Sequence, residues 1–247
     1  MKNLFTKRWM LLLLLVPIAL IIIAVYASDY YRAMPEAQAM LASNDKVLYE
    51  GSPWIEYTPK GKTVTKGLIL YPGGKVAPEA YAPLAEKVAE SGFAAVVVPM
   101  PLNLAILSPD KAEKVMEKYP QIKQWYIGGH SLGGVMAAQF AYKHQDKING
   151  LILLAAYPQK SNDLSAAKVR VLSLYGTKDG LVGKEKVDAS RKLLPEDTKW
   201  IPVEGGNHAQ NGWYGDQKGD QTASISREEQ QKIVSAAIIE FMSGDKE

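Results

Sequence analysis

From residue 66 onward, short uncharged apolar runs alternate with amphipathic segments of helical length. Runs such as Gly67–Tyr71 and Phe93–Val98 carry no charge, which is typical of strands buried on both faces of a sheet. The other predicted strands are Gln124–Ile127, Ile148–Ala155, Val169–Tyr175 and Lys199–Val203. The predicted helices are Pro78–Ser91, Pro109–Tyr119, Leu132–His144, Glu185–Leu194 and Arg227–Met242. This alternation predicts βαβ units, and therefore one doubly wound α/β domain with a mainly parallel sheet over residues 66–247.

The N-terminal segment, residues 1–27, has a different character. Trp9–Ala27 contains nineteen residues without a charge, and a helix of that length spans about 28 Å, close to the hydrocarbon thickness of a bilayer. Lys2, Lys7 and Arg8 precede it, so the positive-inside rule predicts a single-pass anchor with the rest of the chain outside the cytoplasmic membrane. A cleaved signal peptide with a cut after Ala27 is the alternative, and a buried core helix is a third reading.

Residues 28–65 form a polar connecting stretch between this segment and the α/β domain. Val47–Glu50 and Trp54–Tyr57 read as short alternating strands, and Gly51-Ser52-Pro53 supplies the turn between them. Tyr30–Ser43 has the composition of a juxtamembrane helix.

Composition and charge exclude several classes of protein. The chain has no cysteine and three histidines, which excludes thiolate metal sites and disulfides and leaves little for a multi-histidine metal centre. Residues 1–32 hold four basic residues and one acidic residue, so the net charge of +3 leaves 25 basic and 25 acidic residues in 33–247. A neutral body predicts no nucleic-acid partner. We expect neither a metal nor a cofactor.

The chemistry is indicated by Gly129-His130-Ser131-Leu132-Gly133, which stands between a predicted strand and a predicted helix. A serine hydroxyl is a weak nucleophile, and a sharp strand-to-helix turn lifts it clear of the backbone so that a base can reach it. Glycines two residues before and after are needed where the turn brings backbone segments together. The alternative is a purely structural tight turn.

Two further residues complete a candidate triad. Asp179 follows one predicted strand and His208 follows the next, where open α/β sheets place their functional groups. Asp163 is a weaker rival for the acid, because its segment reads as a short connection. We expect His130 to pack against the turn and His144 to lie on the surface near a helix end.

These motifs resemble the α/β-hydrolase superfamily, in particular its small, capless bacterial members related to dienelactone hydrolases. The resemblance covers about residues 66–243 and rests on Tyr71-Pro72-Gly73-Gly74, Gly129–Gly133, Asp179 and His208 in the order Ser…Asp…His. It implies that Ser131 attacks an acyl carbonyl, that His208 transfers the proton, and that Asp179 orients the imidazole.

The resemblance also implies an oxyanion hole in which the backbone N–H of Leu132 and an N–H from the loop after the first parallel strand bind the oxyanion. Gly73 and Gly74 are the candidates for that second donor. The family's usual loop begins His-Gly, whereas Tyr71-Pro72 stands here, and Pro72 has no N–H to donate.

The surroundings of the site predict an open cleft. Tyr157–Lys168 is too short for a helical lid, and Leu102, Trp213 and Tyr214 are candidates for apolar walls that contact substrate. Asn211–Ser226 is a long polar loop, either functional or mobile.

The sequence therefore predicts a serine hydrolase that cleaves carboxylic or thioesters, with a small-molecule or lipid-derived ester as substrate. One alternative is a non-catalytic binding module with the same fold at the cell envelope. Another is an acyltransferase that uses the same triad.

Overall fold

The computed structural model describes residues 2–244, with side chains for residue 13 and for 15–244. The chain divides into two compact units, one up to Tyr30 and the other from Tyr31 onward. The first unit contains a single helix, α1 (Lys2–Ser28), with Pro17 inside it.

The predicted membrane-spanning anchor is not supported. Within the described part of the chain, no helix is both long and apolar enough to cross a membrane. The beginning of the predicted segment, Trp9 to Leu12, and residue 14 lie outside those described side chains.

The second unit is built on one sheet of eight strands in the order β1-β2-β4-β3-β5-β6-β7-β8. The strands are β1 (Val47–Glu50), β2 (Ile55–Pro59), β3 (Lys66–Tyr71), β4 (Ala94–Val97), β5 (Gln124–His130), β6 (Gly150–Leu154), β7 (Arg170–Gly176) and β8 (Lys199–Val203). The six strands from β3 to β8 are parallel, whereas β1 pairs antiparallel with β2 and β2 pairs antiparallel with β4. The predicted doubly wound, mainly parallel sheet is therefore confirmed.

Helices connect the parallel strands and cover the sheet. The α-helices of this unit are α2 (Pro35–Ala39), α3 (Ala82–Glu90), α4 (Ala112–Lys118), α5 (Leu132–Lys143), α6 (Lys184–Ser190) and α7 (Arg227–Ser243). Short 3₁₀ turns cover Pro78–Tyr81, Pro101–Asn103, Ala105–Leu107, Arg191–Leu193 and Ala209–Asn211. Residues 155–169, between β6 and β7, contain no helix, so a helical lid is absent from this connection as predicted.

The order of the strands decides which loops meet. β3 lies between β4 and β5, and β7 lies between β6 and β8. Because these strands are parallel, their carboxyl ends share one edge of the sheet, where the loops after β3, β4, β5, β7 and β8 converge. That edge carries all of the candidate catalytic residues.

Candidate active site

Ser131 occupies a strained turn between β5 and α5. Its φ of 52° and ψ of −123° are rarely adopted by a non-glycine residue. The turn is held from two sides, because the Ser131 N–H donates to the Leu154 carbonyl (3.0 Å) and the Ser131 carbonyl accepts from the Val135 N–H (3.0 Å). The half-buried hydroxyl is thus presented at the carboxyl edge of the sheet.

The glycines around Ser131 are required by close backbone contacts. A Cβ at Gly129 would lie 2.4 Å from the carbonyl carbon of Gly133, and one at Gly133 would lie 2.2 Å from the Tyr71 carbonyl oxygen. A Cβ at Gly134 would lie 2.4 Å from Cβ of Ala156. Real Cβ atoms do not approach other heavy atoms so closely, and the predicted reason for the glycine pattern is confirmed.

Asp179 and His208 form a buried pair. His208 Nδ1 lies 2.8 Å from Asp179 Oδ2, and both side chains are almost fully buried. The other carboxylate oxygen, Oδ1, accepts the N–H groups of Leu181 (2.8 Å) and Val182 (2.6 Å). An Nδ1–H that donates to the carboxylate leaves the lone pair on Nε2, which has no hydrogen-bond partner among the described residues.

The structure also brings His208 to the turn that carries the serine. The rings of His208 and His130 are 4.5 Å apart between centroids, and His130 directly precedes Ser131. Ser131 Oγ and His208 Nε2 are not hydrogen-bonded in this structure, as is common in substrate-free sites where the contact tightens only on binding. The arrangement supplies a half-buried hydroxyl, an imidazole nitrogen without a hydrogen-bond partner and an orienting carboxylate.

His130 is fully buried and belongs to a chain of hydrogen bonds beneath the site. The Gly73 N–H donates to Tyr81 Oη (2.9 Å), and Tyr81 Oη is also hydrogen-bonded to His130 Nδ1 (2.8 Å). Burial, and secondarily the neighbouring charge of His208, hold the pKa of His130 well below its usual value. Burial likewise raises the pKa of Tyr81. His130 is a neutral packing residue, as predicted.

The hydrogen bonds of Tyr81 distinguish between Gly73 and Gly74, the two candidates for the second oxyanion donor. The N–H of Gly73 is already bonded to Tyr81, and the Lys75 N–H donates to the Asn103 carbonyl (2.8 Å). The Gly74 N–H has no partner within residues 2–244, and a Cβ at Gly74 would lie 3.4 Å from Cβ of Leu132. Leu132 is the first residue of α5, so its own N–H has no acceptor within the helix.

Backbone strain is concentrated around this site. Within the described chain, five non-glycine residues have positive φ: Lys75, Leu102, Asn103, Ser131 and Ala155. Each follows the carboxyl end of β3, β4, β5 or β6 within a few residues. Conformations of this kind cost about 1–3 kcal/mol each and persist where the surrounding structure enforces them.

The three predicted substrate-contacting residues have different environments. Leu102 lies in the 3₁₀ turn after β4 and is 42% exposed. Tyr214 is buried, its hydroxyl donates to Gln217 Oε1 (2.9 Å), and its ring lies 6.2 Å from that of His130. Trp213 lines a cavity of about 240 Å³ beside α3 and α7. Of the three, Leu102 presents the exposed side chain.

The remaining candidate polar residues lie outside the triad. Near the end of α5, His144 Nε2 lies 3.7 Å from Asp110 Oδ1 and His144 Nδ1 lies 3.7 Å from Glu113 Oε1. Asp163 is exposed, and its Oδ1 accepts the Ser165 N–H (2.9 Å). No cluster of three or more His, Asp or Glu side chains suited to a metal ion occurs in the described part of the chain.

Sequence analysis missed two side chains that organise the site. Tyr81 was recognisable only as an apolar position of its helical segment, although a buried tyrosine hydroxyl needs partners. Asp220 accepts the N–H groups of Gly180 (2.9 Å) and Ala209 (2.8 Å). No local pattern marks it, since its partners lie 40 and 11 residues away in the chain.

Comparisons with known proteins identify the family and the fold of this chain. The model of the Alpha/beta hydrolase family matches residues 67–232. A pimeloyl-[acyl-carrier protein] methyl ester esterase from Photorhabdus laumondii is 40% identical over 74 residues, a match that covers 29% of this chain and 26% of that protein. The chain thus matches only about a quarter of that relative's length.

Two solved structures illustrate the shared fold. Carboxylesterase CesB from Bacillus subtilis superposes with a TM-score of 0.60 at 11% identity, over 85% of this chain and 96% of that one. Est1E from Butyrivibrio proteoclasticus, in a structure with bound ferulic acid, gives a TM-score of 0.58 at 16% identity, over 79% and 97% of the two chains. At these identities the likeness concerns the fold alone.

Proposed function

This chain belongs to the alpha/beta hydrolase family, and on that premise we propose that it is a serine ester hydrolase that cleaves carboxylic or thioesters. The observation that carries the proposal is the buried Asp179–His208 pair, whose free Nε2 stands beside the turn that presents Ser131. A binding module has no need of an orienting carboxylate, an imidazole with a free Nε2 and a strained serine together. The relative named as a methyl ester esterase supports the same class of reaction.

In the proposed reaction Ser131 is the nucleophile and His208 is the general base and then the general acid. Ser131 Oγ forms a bond to the acyl carbon while its proton passes to His208 Nε2. The tetrahedral intermediate then collapses, the bond to the alcohol or thiol breaks, and the leaving group takes that proton. A water molecule repeats the sequence on the acyl-enzyme and releases the carboxylic acid and free Ser131. Asp179 holds the imidazole and stabilises its positive form throughout.

We assign the oxyanion hole to the backbone N–H groups of Leu132 and Gly74. The support for Gly74 over Gly73 is that the Gly73 N–H is occupied by Tyr81 Oη. Two preorganised N–H groups at this position stabilise the charge that develops in the transition state, and the loss of one such donor typically costs about 100- to 1,000-fold in rate.

The first test is labelling with a fluorophosphonate probe, which reacts with activated serines. We expect the wild-type chain to be labelled, and Ser131→Ala and His208→Ala to remain unlabelled although folded by circular dichroism. Ser165→Ala, in an exposed connection, is the matched control and should be labelled like the wild type. A folded wild-type protein that resists the probe would refute the hydrolase proposal. Product analysis with added alcohol then distinguishes hydrolysis from acyl transfer.

For the substrate, we propose an ester with an apolar chain, small or lipid-derived. Leu102, Ile106 and Leu107 are each more than 40% exposed on the two 3₁₀ turns after β4. The Lys75–Asn103 hydrogen bond joins these turns to the proposed oxyanion loop. An apolar acyl chain that packs against these three exposed side chains would bury apolar surface, and each methylene group buried contributes about 0.8 kcal/mol to binding.

A chain-length series tests this assignment. Leu102→Asn removes the apolar side chain while asparagine tolerates the left-handed backbone at this position. We expect the preference for an octanoyl over an acetyl ester, measured as kcat/KM, to fall roughly tenfold, the loss of one to two methylene contacts. Leu48→Asn on the edge strand β1, where Leu48 is 51% exposed, is the control. An unchanged chain-length preference in Leu102→Asn would reject the assignment.

We also propose that the N-terminal segment directs the domain out of the cytoplasm. The support is the uncharged run Trp9–Ala27 behind three basic residues. Fractionation of cells that express the full chain, compared with a chain that begins at Ser28, tests this. Equal recovery of both forms in the cytoplasmic fraction would contradict it.

A further inference from the structure

The long loop Asn211–Ser226 contributes a carboxylate that bridges the two catalytic loops. Asp220 Oδ1 accepts the Gly180 N–H (2.9 Å), and Asp220 Oδ2 accepts the Ala209 N–H (2.8 Å). Gly180 and Ala209 directly follow Asp179 and His208. We propose that Asp220 is a positioning residue that keeps the catalytic acid, Asp179, and the catalytic base, His208, correctly placed relative to each other. This inference rests on the function proposed above.

The need for such a bridge follows from the topology. Asp179 and His208 stand beyond the ends of β7 and β8, where the regular ladder has stopped. Past the strands, the backbones of the two loops are joined by the Thr177 N–H to the Val203 carbonyl (3.1 Å) and the Lys178 N–H to the Gly206 carbonyl (2.8 Å). Asp220 adds two further hydrogen bonds, one to the backbone of each catalytic loop.

The segment around Asp220 is itself packed tightly against the acid loop. A Cβ at Gly180 would lie 2.6 Å from the Gly219 carbonyl oxygen and 2.9 Å from the Gln221 nitrogen. A glycine at 180 therefore permits the two backbones to touch. Thr177 also takes part in joining the loops, because its hydroxyl accepts the Gly205 N–H (2.9 Å).

The loop is fastened on the histidine side as well. The Asn207 side chain donates to the Gln221 carbonyl (2.7 Å). Arg227 donates to the Ala209 carbonyl (2.9 Å) and also to the carbonyls of Gly212 and Gly215. Asp220 thus lies between two backbone segments that are each held by other hydrogen bonds. Its carboxylate can therefore keep the two catalytic loops at a fixed distance from each other.

The test is Asp220→Asn, which has nearly the same shape. Asparagine keeps one acceptor oxygen but turns an NH₂ group towards the second N–H, so one of the two bridges is lost. We expect kcat for a simple ester to fall about 10- to 100-fold, the effect of a misplacement approaching 1 Å. KM should stay within about twofold, since Asp220 is placed away from the substrate and uniform binding is retained. Asp216→Asn, an exposed aspartate of the same loop, is the matched control.

A spectroscopic measurement separates positioning from a general loss of structure. The His208 Nδ1 proton, hydrogen-bonded to a buried carboxylate, is observed by proton NMR in water and assigned through its absence in His208→Ala. We expect this resonance to weaken or shift in Asp220→Asn and to be unchanged in Asp216→Asn. If Asp220→Asn does not fold, Asp220→Glu, which retains the charge but displaces the carboxylate, is measured in the same way.

The outcomes are distinct. Wild-type protein that resists the fluorophosphonate probe refutes the proposed function itself. Reactive wild-type protein together with an Asp220 variant of unchanged kcat, or with a loss confined to KM and an unaltered Nδ1 resonance, overturns the positioning role alone. An equal loss in Asp216→Asn overturns it too, since the effect would then belong to the charge of the loop.

Discussion

Removal of a single hydroxyl group, in Tyr81→Phe, should destabilise both the fold and the proposed oxyanion loop. Tyr81 Oη is completely buried and serves two groups, since it accepts the Gly73 N–H (2.9 Å) and is hydrogen-bonded to His130 Nδ1 (2.8 Å). Phenylalanine retains the packing of the ring but offers neither interaction. Both partners would then be buried without a hydrogen bond.

The magnitude follows from counting these groups. A buried polar group left unpaired costs about 1–3 kcal/mol, so two of them predict a loss of roughly 2–5 kcal/mol in the free energy of unfolding. Tyr57→Phe provides the comparison, because the hydroxyl of the equally buried Tyr57 has one partner, the Met40 carbonyl (2.7 Å). Its removal should cost about 1 kcal/mol.

Urea unfolding of the two variants, followed by circular dichroism at pH 8, measures both values. Because Tyr81→Phe also releases the Gly73 N–H, the loop that carries Gly74 should loosen and the rate of fluorophosphonate labelling should fall. Tyr57→Phe should be labelled at the wild-type rate. A loss of stability in Tyr81→Phe no larger than that in Tyr57→Phe would refute the two-partner interpretation.

Three further variants follow from the same geometry. Gly133→Ala should lose about 1–3 kcal/mol in urea unfolding and most of its labelling, because its Cβ would meet the Tyr71 carbonyl at 2.2 Å. Burial depresses the pKa of His130, so below about pH 6.5 the unfolded chain binds a proton that the folded chain does not, and stability should fall as pH falls. Urea unfolding between about pH 6.5 and 5 should show a flatter profile in His130→Asn than in the wild type. Gln230→Ala should lose about 2–4 kcal/mol in urea unfolding, since Gln230 Oε1 and Nε2 bind the buried Asn207 N–H and carbonyl (2.9 Å each).

Each of these has a clear contrary result. Wild-type stability and labelling in Gly133→Ala would mean that the loop after β3 is free to move away from α5. Parallel pH profiles for the wild type and His130→Asn would show that other groups cause the acid sensitivity. Wild-type stability in Gln230→Ala would mean that the Asn207 N–H and carbonyl find other hydrogen-bond partners when the Gln230 side chain is removed.

Several features of this protein were predictable from the sequence because they depend on local pattern. Short uncharged runs such as Gly67–Tyr71, bounded by turn residues, are typical of strands buried on both faces, and segments of helical length between them predict parallel βαβ connections. The glycines around Ser131 marked a strained turn, since only a close backbone approach excludes every side chain. The order of Ser131, Asp179 and His208, each after a strand, then placed all three at one edge of the sheet.

The ends of the helices were less predictable. Ser108 reads as an N-cap, yet α4 begins at Ala112 with no side-chain cap, after the 3₁₀ turn Ala105–Leu107. The segment predicted as one helix over Pro78–Ser91 is divided into a 3₁₀ turn and α3. At both places tertiary contacts compete with local preference for the backbone hydrogen bonds.

Only the tertiary structure decided which groups near Ser131 are free and which are occupied. Tyr81 approaches from the 3₁₀ turn before α3 and binds the Gly73 N–H. This contact decides that the Gly73 N–H is occupied while that of Gly74 is free. The path of one long loop without periodicity brings Tyr214 against His130. The same path places Asp220 where it spans the two catalytic loops. Local sequence determines strands, helices and tight turns, whereas the partners of a buried hydroxyl or carboxylate are set by distances between segments remote in the chain.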